Sequence, residues 1–259
     1  MSVVFKLGGA ILADPDAVAK VWSDVARTPG AVVVHGGGPQ ATALARRLGH
    51  EPRVVAGRRV TTTLDLDVAL YTLRGSLNAR LVASANRRSA LTSGTAVRAV
   101  GVSGADGGLV RVRRRPPVEV DGQTVDFGHV GDVEAVDPAL LAALVAAGFV
   151  PVVASVCADF AGNLFNVNAD TVASEIAVAF GASLALVTEA GGVRRDAADP
   201  ASVLRQLSGA EAEAGVAQGW IAGGMRPKLE VALAALARGV PSVRVCAPGD
   251  LDGGTEVTP

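Results

Sequence analysis

The sequence predicts an α/β fold with an open, mostly parallel central sheet sandwiched between helices. Short apolar runs rich in valine alternate with amphipathic helical stretches from the N-terminus onward, and glycine-rich turns follow several of these runs. The chain has 259 residues, of which 49% are hydrophobic, so it can bury a full core. Strands that alternate with helices form parallel sheets covered on both faces. Sheets of this kind bind ligands beyond the carboxyl ends of their strands.

The first elements follow a βαβα rhythm. They are a strand over residues 3–7, a helix over 16–27, a strand over 31–34 and a helix over 40–48. A long helix is then predicted from about residue 64 to 88. Its apolar stripe is formed by leucines at helical spacing, namely Leu66, Leu70, Leu73, Leu77 and Leu81. The next predicted strand covers residues 96–102.

The middle of the chain changes to short strands. Residues 109–113, 118–120 and 124–127 alternate or cluster as strands, and Asp121-Gly122 between the last two is a tight-turn signal. We interpret this segment as a β-hairpin flap inserted in the α/β framework. Such a flap covers a bound substrate in some proteins and is an exposed decoration in others, and the residues leave both readings open.

The second half returns to alternating helices and strands. The predicted elements are a helix over 138–147, a strand over 150–155, a turn at 159–163, a helix over 171–180 opened by Asn168-Ala169-Asp170, a strand over 184–187, a helix over 228–237 and a strand over 242–246. We expect an N-terminal lobe over residues 1–165 and a C-terminal lobe over 166–259.

Composition narrows the classes of function that the protein can have. The formal net charge is −1, which gives no field that would favour nucleic acid or an anionic membrane. No window approaches the ~20 apolar residues of a membrane span, and the N-terminus has no secretion signal, so a cytoplasmic protein that acts on small molecules is expected. Cys157 and Cys246 are lone thiols, and the three histidines have no paired spacing, so neither disulfides nor a metal site is predicted.

Lysine usage points to phosphate chemistry. The chain has only three lysines, against many arginines, and two of them, Lys6 and Lys228, lie in glycine-rich turns. Lys20 belongs to an amphipathic helical stretch and is interpreted as a surface charge. A compact ammonium on a flexible stem can follow a moving phosphoryl group, which the rigid fork of arginine does less well.

Three glycine turns follow predicted strands, at Gly8-Gly9, Gly36-Gly37-Gly38 and Gly191-Gly192. Glycine lets backbone N–H groups approach an oxyanion closely, and the following helix adds a favourable dipole. The second turn also matches the dinucleotide fingerprint, which would indicate a dehydrogenase, but the acid expected about 20 residues later is missing. The chain also contains no GxxxxGK[ST] P-loop.

Seven ordered motifs resemble the N-acetylglutamate kinases of the amino acid kinase superfamily. They span nearly the whole chain and are Lys6-Leu7-Gly8-Gly9, His35-Gly36-Gly37-Gly38-Pro39-Gln40, Gly57-Arg58-Arg59-Val60-Thr61, Ser103-Gly104-Ala105-Asp106-Gly107, Gly128-His129-Val130-Gly131, Asn166-Val167-Asn168-Ala169-Asp170 and Gly223-Gly224-Met225-Arg226-Pro227-Lys228. The resemblance implies transfer of the ATP γ-phosphoryl group to the side-chain carboxylate of N-acetyl-L-glutamate, in arginine biosynthesis. Such a carboxylate, with a pKa of ~4.3, needs no general base.

The resemblance also implies roles for individual residues. Lys6 and Lys228 would stabilise the transferring phosphoryl group, and Asp170 would orient both ammonium groups. The substrate would be bound by Gly37, Gly38, Arg59 and Asn166. The nucleotide would be bound by Gly8, Gly9, Thr188, Glu189, Gly191, Gly192, Gly224 and Met225. ATP and Mg²⁺ are the implied cofactors, with Mg²⁺ carried mainly by the ATP phosphates.

The sequence departs from the family at three places. Glu189 stands where relatives usually have Asp, the ending after Cys246 is short, and Lys6 leaves no room for the N-terminal helix of arginine-inhibited hexameric relatives. We therefore expect a homodimer without that form of arginine feedback. Two alternatives stay open. One is a kinase for aminoadipate or glutamate linked to a carrier protein, and the other is a catalytically silent, nucleotide-binding regulatory relative.

Overall fold

The structure, a computed structural model, describes residues 2–87 and 97–259. Its strands are β1 (Val3–Leu7), β2 (Val32–His35), β3 (Val54–Val55), β4 (Arg58–Arg59), β5 (Ala99–Ser103), β6 (Val110–Arg114), β7 (Val118–Val120), β8 (Gln123–Val125), β9 (Gly131–Val136), β10 (Val150–Ala154), β11 (Val156–Ala158), β12 (Leu164–Asn166), β13 (Ser183–Val187), β14 (Gln206–Ser208), β15 (Val243–Cys246) and β16 (Thr255–Thr258).

The helices alternate with these strands. They are α1 (Gly9–Ala13), α2 (Pro15–Ala26), α3 (Gly38–Arg47), α4 (Thr63–Ala69), α5 (Asn78–Ala85), α6 (Ala139–Ala146), α7 (Ala169–Phe180), α8 (Gly209–Ala217) and α9 (Met225–Ala237). The predicted helix 64–88 is present as α4, a π-helical segment over Leu70–Leu77 and α5. Its last predicted residue, Arg88, and the first residue of the predicted strand 96–102 lie outside the described residues.

Within the described residues, eight strands form one central sheet. Their order is β14-β16-β15-β13-β1-β2-β10-β5. Every neighbouring pair is parallel except β15 with β16, so β14 and β16 run against the other six strands at one edge. This mostly parallel sheet between helices confirms the predicted fold class.

The core forms on both faces of this sheet because its strands are apolar on both sides. Val4, Val32 and Val34 pack with the inner residues of α7 and α9 on one face. Phe5 and Leu7 pack with α2 and α5 on the other. Strands buried on both faces give continuous apolar runs in the sequence, which is why the alternation of runs and helices predicted the sheet.

The middle segment contributes to two further sheets. β7 and β8 form the predicted hairpin, with Asp121 (φ +50°) and Gly122 (φ +75°) at its turn. The predicted strand over 109–113 is observed as β6, but it belongs to a four-stranded sheet in the order β12-β11-β6-β9 and is no part of the hairpin. Apolar side chains of the hairpin pack on those of β3–β4, through Val120 and Val125 against Val55 and Val60.

None of the helices in the described part of the chain is long and apolar enough to cross a bilayer.

Candidate active site

Three of the predicted ligand-binding turns lie together at the carboxyl ends of neighbouring strands in the central sheet. Strand β1 pairs in parallel with both β2 and β13, and Leu7 is level with His35 and Val187. The carboxyl ends of the three strands are therefore adjacent. Each continues directly into a turn that carries predicted ligand-binding residues, at Gly8-Gly9, at Gly36-Gly37-Gly38 and at Thr188-Glu189. Parallel sheets bind their ligands beyond the carboxyl ends of their strands.

Two ammonium groups and one carboxylate lie close together at these strand ends. Lys6 lies near the end of β1, and its Nζ is 2.8 Å from Oδ1 of Asp170. Nζ of Lys228, on the first turn of α9, is 3.8 Å from Oδ2 of the same carboxylate. Asp170 is held in the first turn of α7 by Asn168, whose side chain caps that helix. The three residues that the motifs assigned to catalysis are thus brought together.

The electrostatics of this cluster favour an anionic ligand. Burial lowers the pKa of Lys6, and the charge of Lys228 lowers it further, while the Asp170 carboxylate opposes both effects. One carboxylate between two ammonium groups leaves a net positive charge at the site. A bound anion such as a phosphoryl group would supply the missing negative charge.

A cavity of about 310 Å³ adjoins the cluster. It is lined by six of the residues predicted to bind nucleotide, namely Gly8, Gly9, Thr188, Glu189, Gly224 and Met225, and by Lys228. The hydroxyl of Thr188 is buried and has no hydrogen-bond partner within the described residues. Gly191 and Gly192 do not line this cavity. Gly192 instead packs closely against Val203 and Thr255.

The turn after β1 and the turn after β2 are locked together. Nε2 of Gln40 donates a hydrogen bond to the carbonyl of Gly9 at 2.7 Å. A Cβ at Gly9 would lie only 2.6 Å from Pro39 Cδ, so only glycine allows this approach. The oxygen of the same amide, Oε1 of Gln40, is buried without a partner. Gln40 was missed as a site residue because its role depends on a contact between two distant turns.

A buried histidine supports the second glycine turn. Nδ1 of His35 lies 2.9 Å from the Gly36 carbonyl, and Nε2 lies 3.0 Å from the side-chain nitrogen of Asn78. The amide nitrogen can only donate, so Nδ1 carries the proton and donates to Gly36. Burial lowers the pKa of His35 to about 4. The imidazole is therefore neutral at pH 7 and serves to hold the turn.

Arg59, one of the predicted substrate-binding residues, is already oriented by the protein. It lies on β4, and its Nη2 donates to the Gly38 carbonyl at 3.3 Å and also to the hydroxyl of Thr42. Its Nη1 is 3.8 Å from Oδ1 of Asp65 and has no hydrogen-bond partner, although it is buried. Arg59 therefore contacts the Gly37-Gly38 turn and still has an unused donor.

Asn166, at the end of β12, connects to the same region. Its side-chain nitrogen donates to the Thr61 hydroxyl at 3.3 Å, and its backbone N–H donates to the carbonyl of His129. Thr61 follows β4 by two residues and is fully buried. The chain around Arg59 and the chain around Asn166 are thus joined. Thr61 was not among the predicted site residues, although it lies within one of the seven motifs.

Gly37 supplies the sharpest steric constraint of the site. Its φ is +152°, and an added Cβ would lie 2.3 Å from Cδ1 of Leu77 and 2.7 Å from Cδ2 of Leu73, both in the π-helical segment. We expect Gly37→Ala to lower the free energy of unfolding by roughly 1–3 kcal/mol. Gly38→Ala is the matched control, because a Cβ there meets nothing within 4 Å. Chemical denaturation of both variants checks this, and equal stabilities would contradict it.

Comparison with known proteins shows the family to which the chain is similar. The sequence profile described as the amino acid kinase family matches residues 1–247. The chain is 44% identical to an acetylglutamate kinase of Anaeromyxobacter dehalogenans, over 96% of this chain and 94% of that one. It is 38% identical to an acetylglutamate kinase of Methanothrix thermoacetophila, over 94% of this chain and 83% of that one.

A solved structure shows the same fold. N-acetylglutamate synthase from Neisseria gonorrhoeae, complexed with coenzyme A and L-arginine, is 22% identical and superposes with a TM-score of 0.80, over 99% of this chain and 61% of that one. The likeness covers nearly the whole chain. The family expected from the seven motifs is confirmed, and the chain belongs to the amino acid kinase family.

Proposed function

We propose that this protein transfers the γ-phosphoryl group of ATP to the side-chain carboxylate of N-acetyl-L-glutamate. The product would be N-acetyl-L-glutamyl 5-phosphate, an acyl phosphate of arginine biosynthesis. The proposal is supported by the acetylglutamate kinases that share 38–44% of its residues. The observation that carries it is the position of Asp170 between Lys6 and Lys228, beside the glycine-lined cavity.

The proposed mechanism depends on positioning and charge neutralisation. The attacking carboxylate is ionised at neutral pH, so the obstacle is the approach of one anion to another. Lys6 and Lys228 neutralise the charge of the phosphoryl group from two directions, and Asp170 holds both ammonium groups in place. The backbone N–H groups of Gly8 and Gly9 contribute donors at the start of α1.

Each end of the crevice has groups suited to one substrate. On the nucleotide side we assign Thr188, Glu189, Gly224 and Met225, with Gly191 and Gly192 shaping the turn behind them. On the substrate side we assign Gly37, Gly38, Arg59 and Asn166. The guanidinium of Arg59 is suited to the α-carboxylate, because charge-assisted hydrogen bonds to a carboxylate are the strong ones that an arginine makes.

Magnesium is expected to enter the site together with the nucleotide. Among residues 2–87 and 97–259 there is no group of three or more His, Cys, Asp or Glu that could hold a metal ion. Mg²⁺ usually binds through substrate phosphates and few protein ligands. We therefore assign it to the triphosphate of ATP.

The proposal divides the chain into two working lobes. Residues 1–165 would bind the acyl amino acid and dimerise, and residues 166–259 would bind ATP. Both lobes share the central sheet, because β1 pairs with β13. Lys6 and Asp170 would then belong to different lobes and meet at the boundary between them.

Acyl-phosphate formation, trapped as a hydroxamate, tests the activity. The protein is incubated with Mg-ATP and N-acetylglutamate, glutamate, aspartate or aminoadipate, with Lys228→Ala as the blank. Turnover confined to N-acetylglutamate and lost in the variant is the expected result. ATP binding without turnover of any free amino acid would contradict it, and would favour a carrier-linked substrate or a regulatory role.

We also propose a homodimer through the face of α4 and the π-helical segment. Tyr71 is 65% exposed and Leu64 is 44% exposed on this face, and Phe160 is 75% exposed on the loop between β11 and β12. Large apolar side chains that are exposed in the single chain are typical of protein interfaces. Sedimentation is expected to give the mass of two chains, and Tyr71→Glu is expected to give that of one. A mass near six chains, or an unchanged dimer in Tyr71→Glu, would contradict the proposal.

A further inference from the structure

A chain of polar side chains leads from the substrate clamp to the outside of the molecule. Nη1 of Arg59 lies 3.8 Å from Oδ1 of Asp65, and the same oxygen lies 3.0 Å from Nε2 of His50. The Asp65 side chain is 1% exposed, whereas the His50 side chain is 25% exposed. Solvent therefore has access to the imidazole, while the carboxylate is enclosed.

The other oxygen of Asp65 caps the start of helix α4. Oδ2 accepts hydrogen bonds from the backbone N–H of Thr62 at 3.0 Å and from its hydroxyl at 2.6 Å, in the capping box that begins α4. Burial raises the pKa of Asp65, but the hydrogen bonds from Thr62 and His50 outweigh it and hold that pKa below its ordinary value. Asp65 is therefore a fixed anion, and Arg59 and His50 share its remaining oxygen.

The hydrogen bond from His50 limits how much of the Asp65 charge acts on Arg59. A carboxylate oxygen only accepts, so Nε2 of His50 carries a proton and donates to Oδ1. Arg46 and Glu51, close to His50 in sequence, bind each other through two hydrogen bonds at the surface. That pair is neutral as a unit, so it does not replace the donor of His50.

We infer that His50 is a positioning residue for the acidic substrate, acting on Arg59 through Asp65. The hydrogen bond from Nε2 of His50 competes for Oδ1 of Asp65 and leaves the guanidinium of Arg59 available to a substrate carboxylate. Without that hydrogen bond, the charge of Asp65 acts on Arg59 alone and weakens its hold on the substrate. The inference rests on the proposed function, because it concerns the same substrate and the same clamp.

The expected signature is a KM effect without a kcat effect. The KM for N-acetylglutamate is expected to rise when the hydrogen bond from His50 to Asp65 is removed. The kcat and the KM for ATP are expected to change little, because His50 contacts neither Lys6, Lys228 nor the nucleotide cavity.

Two substitutions test the inference. His50→Ala removes the donor to Asp65, and its KM for N-acetylglutamate is expected to be about threefold to tenfold higher than that of the wild type. His50→Gln keeps a side-chain N–H donor, and its KM is expected to stay close to that of the wild type. Arg47→Gln is the matched control. It removes a cation from the same end of α3, and Arg47 forms no ion pair with Asp65 in the described part of the chain.

The outcomes separate this inference from the proposed function. A wild-type KM for N-acetylglutamate in His50→Ala, or a raised KM in Arg47→Gln, would overturn the inference alone. So would an equal loss in kcat and in both KM values together with a lower unfolding midpoint, since that pattern indicates a general structural role. Failure of the wild-type protein to turn over N-acetylglutamate would overturn the proposed function, and the inference with it.

Discussion

Lys228→Ala is expected to lower kcat by about 10²–10³-fold, which is the usual effect of removing one donor that stabilises transition-state charge. The unfolding midpoint is expected to change little. The Lys228 side chain is 21% exposed, its Nζ donates only to the exposed Gly224 carbonyl at 3.3 Å, and it lies 3.8 Å from Asp170. Its loss therefore leaves no buried group without a partner. Single-turnover and steady-state phosphorylation, with ATP binding measured in parallel, check this prediction.

The chain offers a matched control for that experiment. Lys20, on α2, is exposed and lies outside the cavity that Lys228 lines, so Lys20→Ala is expected to keep kcat within about twofold of the wild type. Lys228→Arg restores the positive charge but not the compact ammonium, and we expect it to recover little of the activity. A Lys228→Ala enzyme with more than a tenth of the wild-type kcat would exclude Lys228 as a stabiliser of the transferring group.

Much of the fold could be predicted because its signals are local. The buried strands β1, β2, β10, β13 and β15 are apolar on both faces and are bounded by turns, so each gives a continuous run. The start of helix α7 also has a local signal, because the cap Asn168 and the first-turn acid Asp170 are residue types that favour a helix N-terminus. The predicted bounds of these elements agree with the observed ones to within a few residues.

The elements that were missed have weak or non-local signals. Strand β9 is largely half-buried or exposed, and helix α8 buries only Ala212 and Gly215, so neither has a clear apolar period. β14 and β16 run opposite to the other six strands of the central sheet because of how they pair at its edge. The residues of a strand do not indicate which way it runs relative to its neighbours. The π-helical segment lies against the Gly37 turn through Leu73 and Leu77, a contact between parts of the chain that are distant in sequence.

The same reason limits prediction of the site. The lysines and glycine turns are visible because their residue types are unusual where they stand. Asp65 acts through Arg59 and His50, and Gln40 acts through Gly9, so each depends on a contact that only the fold creates. A partial signal for Asp65 was present, since Thr62 three residues earlier completes a capping-box sequence. It indicates a helix start and says nothing of Arg59.

Asp170→Asn is expected to lower both stability and activity, for different reasons. The Lys6 side chain is 7% exposed and its Nζ is 2.8 Å from the Asp170 carboxylate. Removing one partner of a buried ion pair leaves a charge uncompensated and costs roughly 3–5 kcal/mol. Asparagine has nearly the shape of aspartate, so the loss measures the missing charge and not a cavity. Chemical denaturation of wild type and variant gives the difference in the free energy of unfolding.

This loss of stability is expected to shrink as the pH rises from 6 to 9. Burial, reinforced by Lys228 and opposed by Asp170, already lowers the pKa of Lys6 in the wild type. A lysine whose pKa is lower in the folded than in the unfolded state destabilises the fold at low pH, and this cost disappears as the pH rises toward the unfolded value. Without Asp170 the folded pKa falls further, so the variant releases the proton of Lys6 at a lower pH than the wild type does.

The activity of Asp170→Asn is not expected to recover with the stability. Once Lys6 is neutral, it no longer counters the charge of the phosphoryl group, and Lys228 has lost the carboxylate that holds it toward the site. We therefore expect kcat to stay at least roughly 100-fold below the wild-type value at pH 9, where the two proteins approach each other in stability. An Asp170→Asn enzyme that regained kcat in parallel with its stability would show that Asp170 only keeps the fold intact, and would remove the carboxylate from the catalytic cluster.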